Sequence, residues 1–308
     1  MNIQKIVKRL TLLMVVSLVI GVSLLFLTDG IKINRNSIDV KLINGDSKNT
    51  YEVDELQTSD MDNISNICIT GVTEDIIIIP EDRKDMKIQL QGNVFDDLKH
   101  ELSLSKNGSS LNIEVTYDDS MLLGYSLMKL QVFIPKDYKG TMNVETTSGD
   151  LSMTKKLSLE NLSVDLTSGN IYLKDINANN LSLNSTSGDI EGEYLVTNNA
   201  KINLVSGDIS LNNFAGNLRG KSISGDIKVT YEKFNNDVNL ESTSGDLIID
   251  LQDKAQFILD AETVIGDINS DFPISVKSTN EEDYLKGKVG KSNNKLILRT
   301  TAGDISIK

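Results

Sequence analysis

The sequence is poor in several residue types that stabilise or catalyse. It has no tryptophan, three prolines, one histidine and one cysteine among 308 residues, and aromatic residues make up 5%. A hydrophobic core must therefore come from Ile, Leu and Val. The lone histidine, His100, excludes a multi-histidine zinc site and argues against a catalytic triad. The lone cysteine, Cys68, cannot form an internal disulfide, and its apolar neighbours predict a buried strand position.

Positive charge is also scarce. The formal net charge is −13, and three of the 31 basic residues (Lys5, Lys8 and Arg9) precede the first apolar run. The rest of the chain therefore carries 28 basic and 44 acidic residues, a net charge of −16. Because such a surface repels phosphate backbones and anionic headgroups, the composition argues against nucleic-acid binding. Solubility is the simplest interpretation of this acidity.

Residues 10–27 form the one long apolar stretch without charge. As a helix these residues would rise about 27 Å, close to the thickness of a bilayer core. Basic residues precede the stretch and Asp29 follows it, so the N-terminus is expected in the cytoplasm. We predict a single-pass cell-membrane protein with a cytoplasmic tail (1–9), a transmembrane anchor (10–28) and an extracytoplasmic C-terminal body.

A cleaved signal peptide is the alternative interpretation of the same stretch. Signal peptides have a shorter apolar region, of about 7–15 residues, followed by a small-x-small cleavage site. Residues 21–23 (Gly-Val-Ser) match such a site poorly and lie inside the apolar run. An uncleaved anchor is therefore the preferred prediction. Its nine-residue tail is too short to hold a folded cytoplasmic domain.

A glycine-marked repeat dominates residues 141–308. Most copies read Ser-Gly-Asp, and the Asp or Asn positions are separated by 20, 19, 19, 18, 20, 21 and 37 residues. The last gap is nearly two periods, so one coil is expected to be degenerate or replaced by the polar segment around residues 281–283. The repeated glycines are Gly149, Gly169, Gly188, Gly207, Gly225, Gly245, Gly266 and Gly303.

Apolar residues alternate with period two on both sides of each Ser-Gly-Asp, which is typical of strands with one buried face. Further apolar residues six positions after the Asp or Asn (Ile176, Leu195, Phe214) predict a third short side. A unit of about 20 residues cannot bury its apolar face alone, so like positions must stack coil upon coil. The chain is therefore predicted to be all-β, a parallel β-solenoid. The handedness of parallel crossovers makes a right-handed β-helix the expectation.

Stacking brings the turn acids into a row, where charges about 4.8 Å apart repel by roughly 1 kcal/mol in water. Hydrogen bonds from turn amides are the simpler way to offset this repulsion. Bound Ca²⁺ is the alternative, because Asp189, Asp208, Asp226 and Asp246 would present oxygen ligands in a row. No other cofactor is indicated.

Less regular strands precede the repeat. Residues 29–60 are predicted to be a stalk or linker with an early strand or two, residues 61–140 an N-terminal β cap region, and residues 141–308 the solenoid. Terminal units of solenoids must protect open sheet edges, which gives the cap region its role.

These features together resemble a known family. Repeated Thr-x-Ser-Gly-Asp units, the strand end at Ile134-Pro135 and the Gly-Lys-x-Gly loop (residues 287–290) are similar to the "putative adhesin" β-strand-repeat family of bacteria, a domain of unknown function. The anchored layout resembles its LiaG-like members from envelope-stress operons. The resemblance implies a β-strand-repeat fold and no catalytic residue.

Catalytic motifs are weak. Residues 216–222 (Gly-Asn-Leu-Arg-Gly-Lys-Ser) mimic a phosphate loop but have three residues between the glycines instead of four. The leading hypothesis is a non-enzymatic interaction or cell-envelope module, whose partner is an envelope polymer or a membrane protein. One alternative is a carbohydrate-active enzyme acting on a cell-wall polymer. Another is a surface polymer that assembles through an exposed final strand, residues 305–308.

Overall fold

In a computed structural model of the protein, residues 50–95, 100–117, 127–278 and 283–308 are described, and they contain strands and turns but no helix. Twenty-five strands form two sheets. The predicted anchor and stalk up to residue 49 lie outside the described residues. Within the described part of the chain, no helix is long and apolar enough to span a membrane.

The 12-stranded sheet contains the short strand of each coil. Its spatial order is β1 (Thr50–Asp60), β4 (Asp85–Phe95), β7 (Leu127–Pro135), β3 (Asp75–Glu81), β9 (Leu151–Met153), β11 (Ile171–Lys174), β13 (Ile190–Glu193), β15 (Ile209–Asn212), β17 (Ile227–Thr230), β19 (Leu247–Asp250), β25 (Ile305–Ile307) and β21 (Ile268–Ser270).

The 13-stranded sheet contains the longer strand of each coil. Its spatial order is β22 (Ser275–Ser278), β23 (Tyr284–Val289), β20 (Phe257–Ile265), β24 (Lys295–Ala302), β18 (Val238–Ser244), β16 (Ala215–Ser224), β14 (Val196–Ser206), β12 (Ile176–Ser187), β10 (Leu157–Ser168), β8 (Thr141–Ser148), β2 (Asn66–Gly71), β6 (Ser110–Tyr117) and β5 (His100–Asn107).

Parallel, in-register pairing confirms the stacking of like positions. In the 13-stranded sheet Leu162 pairs with Leu181 and Leu181 with Ala200, and in the 12-stranded sheet Ile171 pairs with Ile190. All these side chains are buried between the two sheets. Each coil therefore contributes the same apolar positions to one continuous core, as the repeat predicts.

The third side of the coil is visible in the burial pattern of β12. Ile176 and Ala178 are buried, two exposed asparagines follow, and burial resumes at Leu181. This odd spacing reverses the phase of the alternation, so the chain bends at residues 179–180. At the equivalent position, the pairing of β14 with β16 shifts register between Val196 and Asn199. This shift accounts for the 18-residue period there.

Irregular strands close the N-terminal end. We call the pair of strands that one coil contributes to the two sheets a rung. β2 and β3 pair in parallel with β8 and β9 and so form a further rung of the stack. Beyond this rung, β1 and β4 run antiparallel in one sheet, and β5 and β6 do so in the other. Side chains join the two outermost strands: His100 Nε2 lies 2.7 Å from Glu55 Oε1, and Gln57 Nε2 donates to Leu102 O.

The C-terminal end corrects the prediction made for the final strand. β24 and β25 do not end the stack, because they lie between the rungs β18/β19 and β20/β21. The prediction of an exposed final strand at residues 305–308 was therefore wrong, since β25 is paired along both edges. The extra length in the 37-residue gap forms no regular coil, in agreement with the prediction that one coil is degenerate or replaced. It includes β22 and β23, which add antiparallel strands at the edge of the 13-stranded sheet.

Cys68 also departs from its prediction. Ile67 and Ile69 are buried, so the alternation turns Cys68 to the outer face of β2, where it is partly exposed. Its Sγ accepts a hydrogen bond from Asn66 Nδ2 at 3.3 Å. The apolar neighbours identified a strand correctly, but period two places the cysteine on the opposite face from them.

Two buried tyrosines are expected to make the folded protein less stable at alkaline pH. Burial raises the pKa of Tyr231 and of Tyr138 above the ordinary 10.0, because a buried phenolate is costly. Below pH 10 both states keep these protons. Above it the unfolded chain loses them and the folded chain does not, so stability falls by up to about 1.4 kcal/mol per pH unit and group. We expect Tyr138→Phe/Tyr231→Phe to flatten this fall, measured by urea unfolding between pH 8 and 11. An unchanged slope would contradict the assignment.

Candidate functional site

The structure places all eight repeated glycines at the corner between the long and short strands. They have φ between +114° and +150°, which L side chains rarely adopt. At each corner a Cβ would lie under 3.0 Å from a backbone carbonyl oxygen of the preceding rung. At Gly188, for example, that oxygen belongs to Gly169. Glycine is therefore required both by the backbone conformation and by the close approach of stacked corners.

The turn acids form a continuous hydrogen-bonded row, which we call the acid ladder. The backbone N–H of each member donates to the side-chain Oδ1 of the member on the preceding rung, over 2.7–3.1 Å. In spatial order the acid ladder consists of Asp75, Asp150, Asn170, Asp189, Asp208, Asp226, Asp246, Asp304 and Asp267. Amide donors thus offset the repulsion between stacked carboxylates.

Asp75 begins the acid ladder, although sequence reasoning did not assign it there. Its corner lacks glycine: the backbone of Glu74 occupies the place of the preceding rung's glycine beneath Gly149. The Glu74 side chain is fully buried, where Oε2 accepts from Val72 N at 2.8 Å and Oε1 accepts from the Tyr117 hydroxyl. The signal in the sequence was the Asp-Ile pair at residues 75–76, which matches the pairs that end other corners.

The predicted Ca²⁺ ligands belong to this ladder. Each of Asp189, Asp208, Asp226 and Asp246 already uses Oδ1 to accept an amide from the next rung. Within residues 50–95, 100–117, 127–278 and 283–308, no group of three or more His, Cys, Asp or Glu side chains is placed to hold a metal ion. The geometry therefore gives the ladder carboxylates a structural role at the corners.

Neutralising one rung of the acid ladder tests this role. Asp208→Asn keeps the Oδ1 acceptor and removes one charge, as Asn170 does naturally, so we expect unchanged or slightly higher stability at low salt. Asp208→Ala removes the acceptor for Asp226 N and is expected to cost about 1–2 kcal/mol. Urea midpoints with and without Ca²⁺ measure both effects. Stabilisation of the wild type by Ca²⁺ that Asp208→Asn abolishes would instead support the calcium hypothesis.

The outer face of the 13-stranded sheet, from β8 to β24, presents polar side chains in rows that cross the strands. Asn180, Asn199 and Asn217 each donate Nδ2 to the Oδ1 of the asparagine one rung before, over 2.8–3.5 Å, and the row starts at Asn161. A second row joins Asp165, Asn184 and Asn203 by bonds of 2.7 Å. Stacking of equal side chains thus produces a surface that repeats at the spacing of strands.

Cavities of about 280 to 400 Å³ lie along this same outer face. The largest crosses β14, β16, β18 and β24, and we call it the central groove. Its polar lining includes Lys201, Arg219, Lys295, Asp237 and Asn239.

Ion pairs are distributed unevenly over this face. At the C-terminal end, Asp260 contacts Arg299 at 3.2 Å and Lys286 at 3.1 Å, and the hydrogen bond to Asp260 raises the pKa of Lys286. Lys221 lies 3.8 Å from Glu241. Lys201 and Arg219 are exposed and form no ion pair within the described residues. The net charge of the sequence did not indicate this basic pair, because acidic residues outnumber basic ones in the chain as a whole.

The phosphate-loop mimic is part of a strand. Residues 216–222 lie within β16, where Arg219 faces outward while Leu218 and Gly220 are buried. The segment therefore forms no loop that encloses a phosphate with backbone amides, in agreement with its incorrect glycine spacing.

Solved structures of several bacterial proteins are similar to the chain. The chain is similar to the solved structure of a "putative adhesin" from Bacteroides fragilis (13% identity, 85% of this chain and 98% of that one, TM-score 0.43). It is also similar to a "putative lipid binding protein" from Parabacteroides distasonis (14%, 86% and 98%, TM-score 0.42) and a "putative cell adhesion protein" from Clostridium sporogenes (14%, 84% and 99%, TM-score 0.29). No curated protein sequence matches the chain.

The profile of the family described as Toastrack DUF4097 matches residues 64–308, which cover the stack from just before β2 to the C-terminus. This match confirms the resemblance to the adhesin-like repeat family. It adds no catalytic residue and leaves the LiaG-like grouping a prediction. With four-fifths of its length matched, the chain belongs to the Toastrack DUF4097 family.

Proposed function

We propose that the chain is a membrane-tethered, extracytoplasmic and non-catalytic interaction protein of the cell envelope. The observation that carries this proposal is the outer face of the 13-stranded sheet, where equal polar side chains recur on successive rungs. A ligand that itself repeats meets the same donors and acceptors many times along such a face. A single small substrate would use only one of these positions.

The sequence provides the location in this proposal. Residues 10–27 act as the anchor, and the basic residues before them hold the N-terminus in the cytoplasm. The β-solenoid then stands outside the membrane, where envelope polymers and the outer domains of membrane proteins are within reach. Its stability rests on core burial, because one cysteine provides no disulfide.

Crosslinking in intact cells tests the proposal. A photoreactive amino acid placed at Ser182, which faces the central part of the outer face on β12, should capture an envelope polymer or a membrane protein. The matched control carries the same probe at Lys228, which is exposed on β17 of the other sheet. Equal capture at both positions, or none at Ser182, would contradict an interaction face at this sheet.

A separate assay tests the non-catalytic part. The full chain incubated with purified cell-wall polymers should release no soluble sugar above a heat-inactivated sample. Release that depends on an acid of the outer face, such as Asp165, would favour the carbohydrate-active alternative.

A further inference from the structure

We propose that Lys201 and Arg219 form a phosphate-binding site in the central groove, which receives a linear phosphate-bearing polymer of the envelope. The inference rests on the proposed function and names the chemistry of its partner. Lys201 on β14 and Arg219 on β16 are direct register partners, so their backbones are about 4.8 Å apart. Both side chains are exposed and border the central groove.

The pair is unfavourable without a ligand. Like charges directly opposite each other on neighbouring strands destabilise a sheet. On the outer sides, Lys201 has Ser182 as its register partner and Arg219 has Asn239, and both partners are neutral. Among the residues that the structure describes, no acid forms an ion pair with either cation. An anionic group bound between them would remove this repulsion.

The surrounding charges allow an anion to approach although the chain as a whole is acidic. Asp237 is the one acid that lines the central groove, and its Oδ1 already accepts Lys295 N at 2.8 Å. Asp165 lies two strands from β14, about 10 Å away, beyond the Debye length of ~8 Å at physiological salt. Glu241 is nearer, but it is paired with Lys221.

The arrangement fits phosphate better than an isolated carboxylate. A tetrahedral phosphate presents oxygens in several directions, so one group can accept from Lys201 and Arg219 together. Asn239 lines the groove beside Arg219, and its buried Oδ1 has no hydrogen-bond partner within the described residues.

Fluorescence anisotropy with labelled inorganic polyphosphate and the full chain in detergent tests the site. We expect wild-type binding at 50 mM salt, and at least tenfold weaker binding by Lys201→Gln/Arg219→Gln. The slope of log K against log salt should fall by about 1. The control Lys155→Gln/Lys228→Gln removes the same charge from exposed positions off this face and should bind within twofold of wild type.

A stability measurement separates binding from folding. Because like charges are removed, Lys201→Gln/Arg219→Gln should melt about 1–3 °C above wild type at low salt, while its binding falls. The inference is overturned if wild type does not bind polyphosphate, if the control loses as much affinity, or if polyglutamate binds as tightly as polyphosphate. The crosslink at Ser182 distinguishes failure of this site from failure of the proposed function. If Lys201→Gln/Arg219→Gln still forms that crosslink in cells, the interaction face is kept and the phosphate site alone is rejected.

Discussion

Replacing Gly225 by alanine is expected to destabilise the protein by more than about 4 kcal/mol, enough to prevent folding of many domains. The new Cβ would lie under 3.0 Å from both the carbonyl oxygen and the carbonyl carbon of Gly207. It would also lie 2.9 Å from Asp208 Oδ1, the acceptor for Asp226 N. Relief of this overlap requires separation of two rungs, which breaks hydrogen bonds on both sides of the corner.

Gly108 provides the matched control. It also has a positive φ, +61°, but a Cβ there would meet nothing within 4 Å. Gly108→Ala therefore carries only the cost of the left-handed backbone, about 1–2 kcal/mol. Urea unfolding of the two variants separates close approach from backbone conformation. Similar losses at both positions would show that the stacked carbonyl contributes little.

The spacing of the corners was sufficient to predict most of the stack. Parallel strands place equal sequence positions side by side, so a fixed period determines the register, as in the pairing of Leu162 with Leu181. The acid ladder followed from the same argument, because one turn residue per coil must align with the next. The basic pair follows from the same register, since Lys201 and Arg219 each precede a ladder aspartate (Asp208 and Asp226) by seven residues. The sequence did not show that no acid of the described residues would pair with them, because that depends on side-chain contacts.

The order of the last two rungs could not be predicted from the sequence. The corners at Gly266 and Gly303 both carry glycine followed by aspartate, so the sequence does not distinguish which of them stacks on Gly245. The inner faces of the two rungs differ: β25 carries the buried Ile305 and Ile307, whereas their register partners on β21 are the partly buried Ile268 and the polar Ser270. The rung with the more complete apolar face takes the internal position, where both of its sides are covered.

Removal of residues 295–308 is therefore expected to unfold more than one rung. The truncation deletes four fully buried aliphatic residues: Leu296, Leu298, Ile305 and Ile307. At about 1.5–3 kcal/mol each, their burial is comparable to the whole stability of a domain. It also leaves β18 and β20 without the strand that joins them. If the C-terminal strands ended the stack, the same truncation would release a single rung and leave the others intact.

Two further measurements test the internal position of these strands. Ile305→Ala should cost about 2–5 kcal/mol, and Ile268→Ala on the partly buried outer rung less than half as much. A synthetic peptide of residues 295–308 added to the truncated chain should restore protection of the β18 and β20 amides from hydrogen exchange, since it completes both sheets. A peptide with the same residues scrambled should not. Protection of these amides without any peptide would show that the stack closes over the gap, and β24 would then be dispensable for joining the rungs.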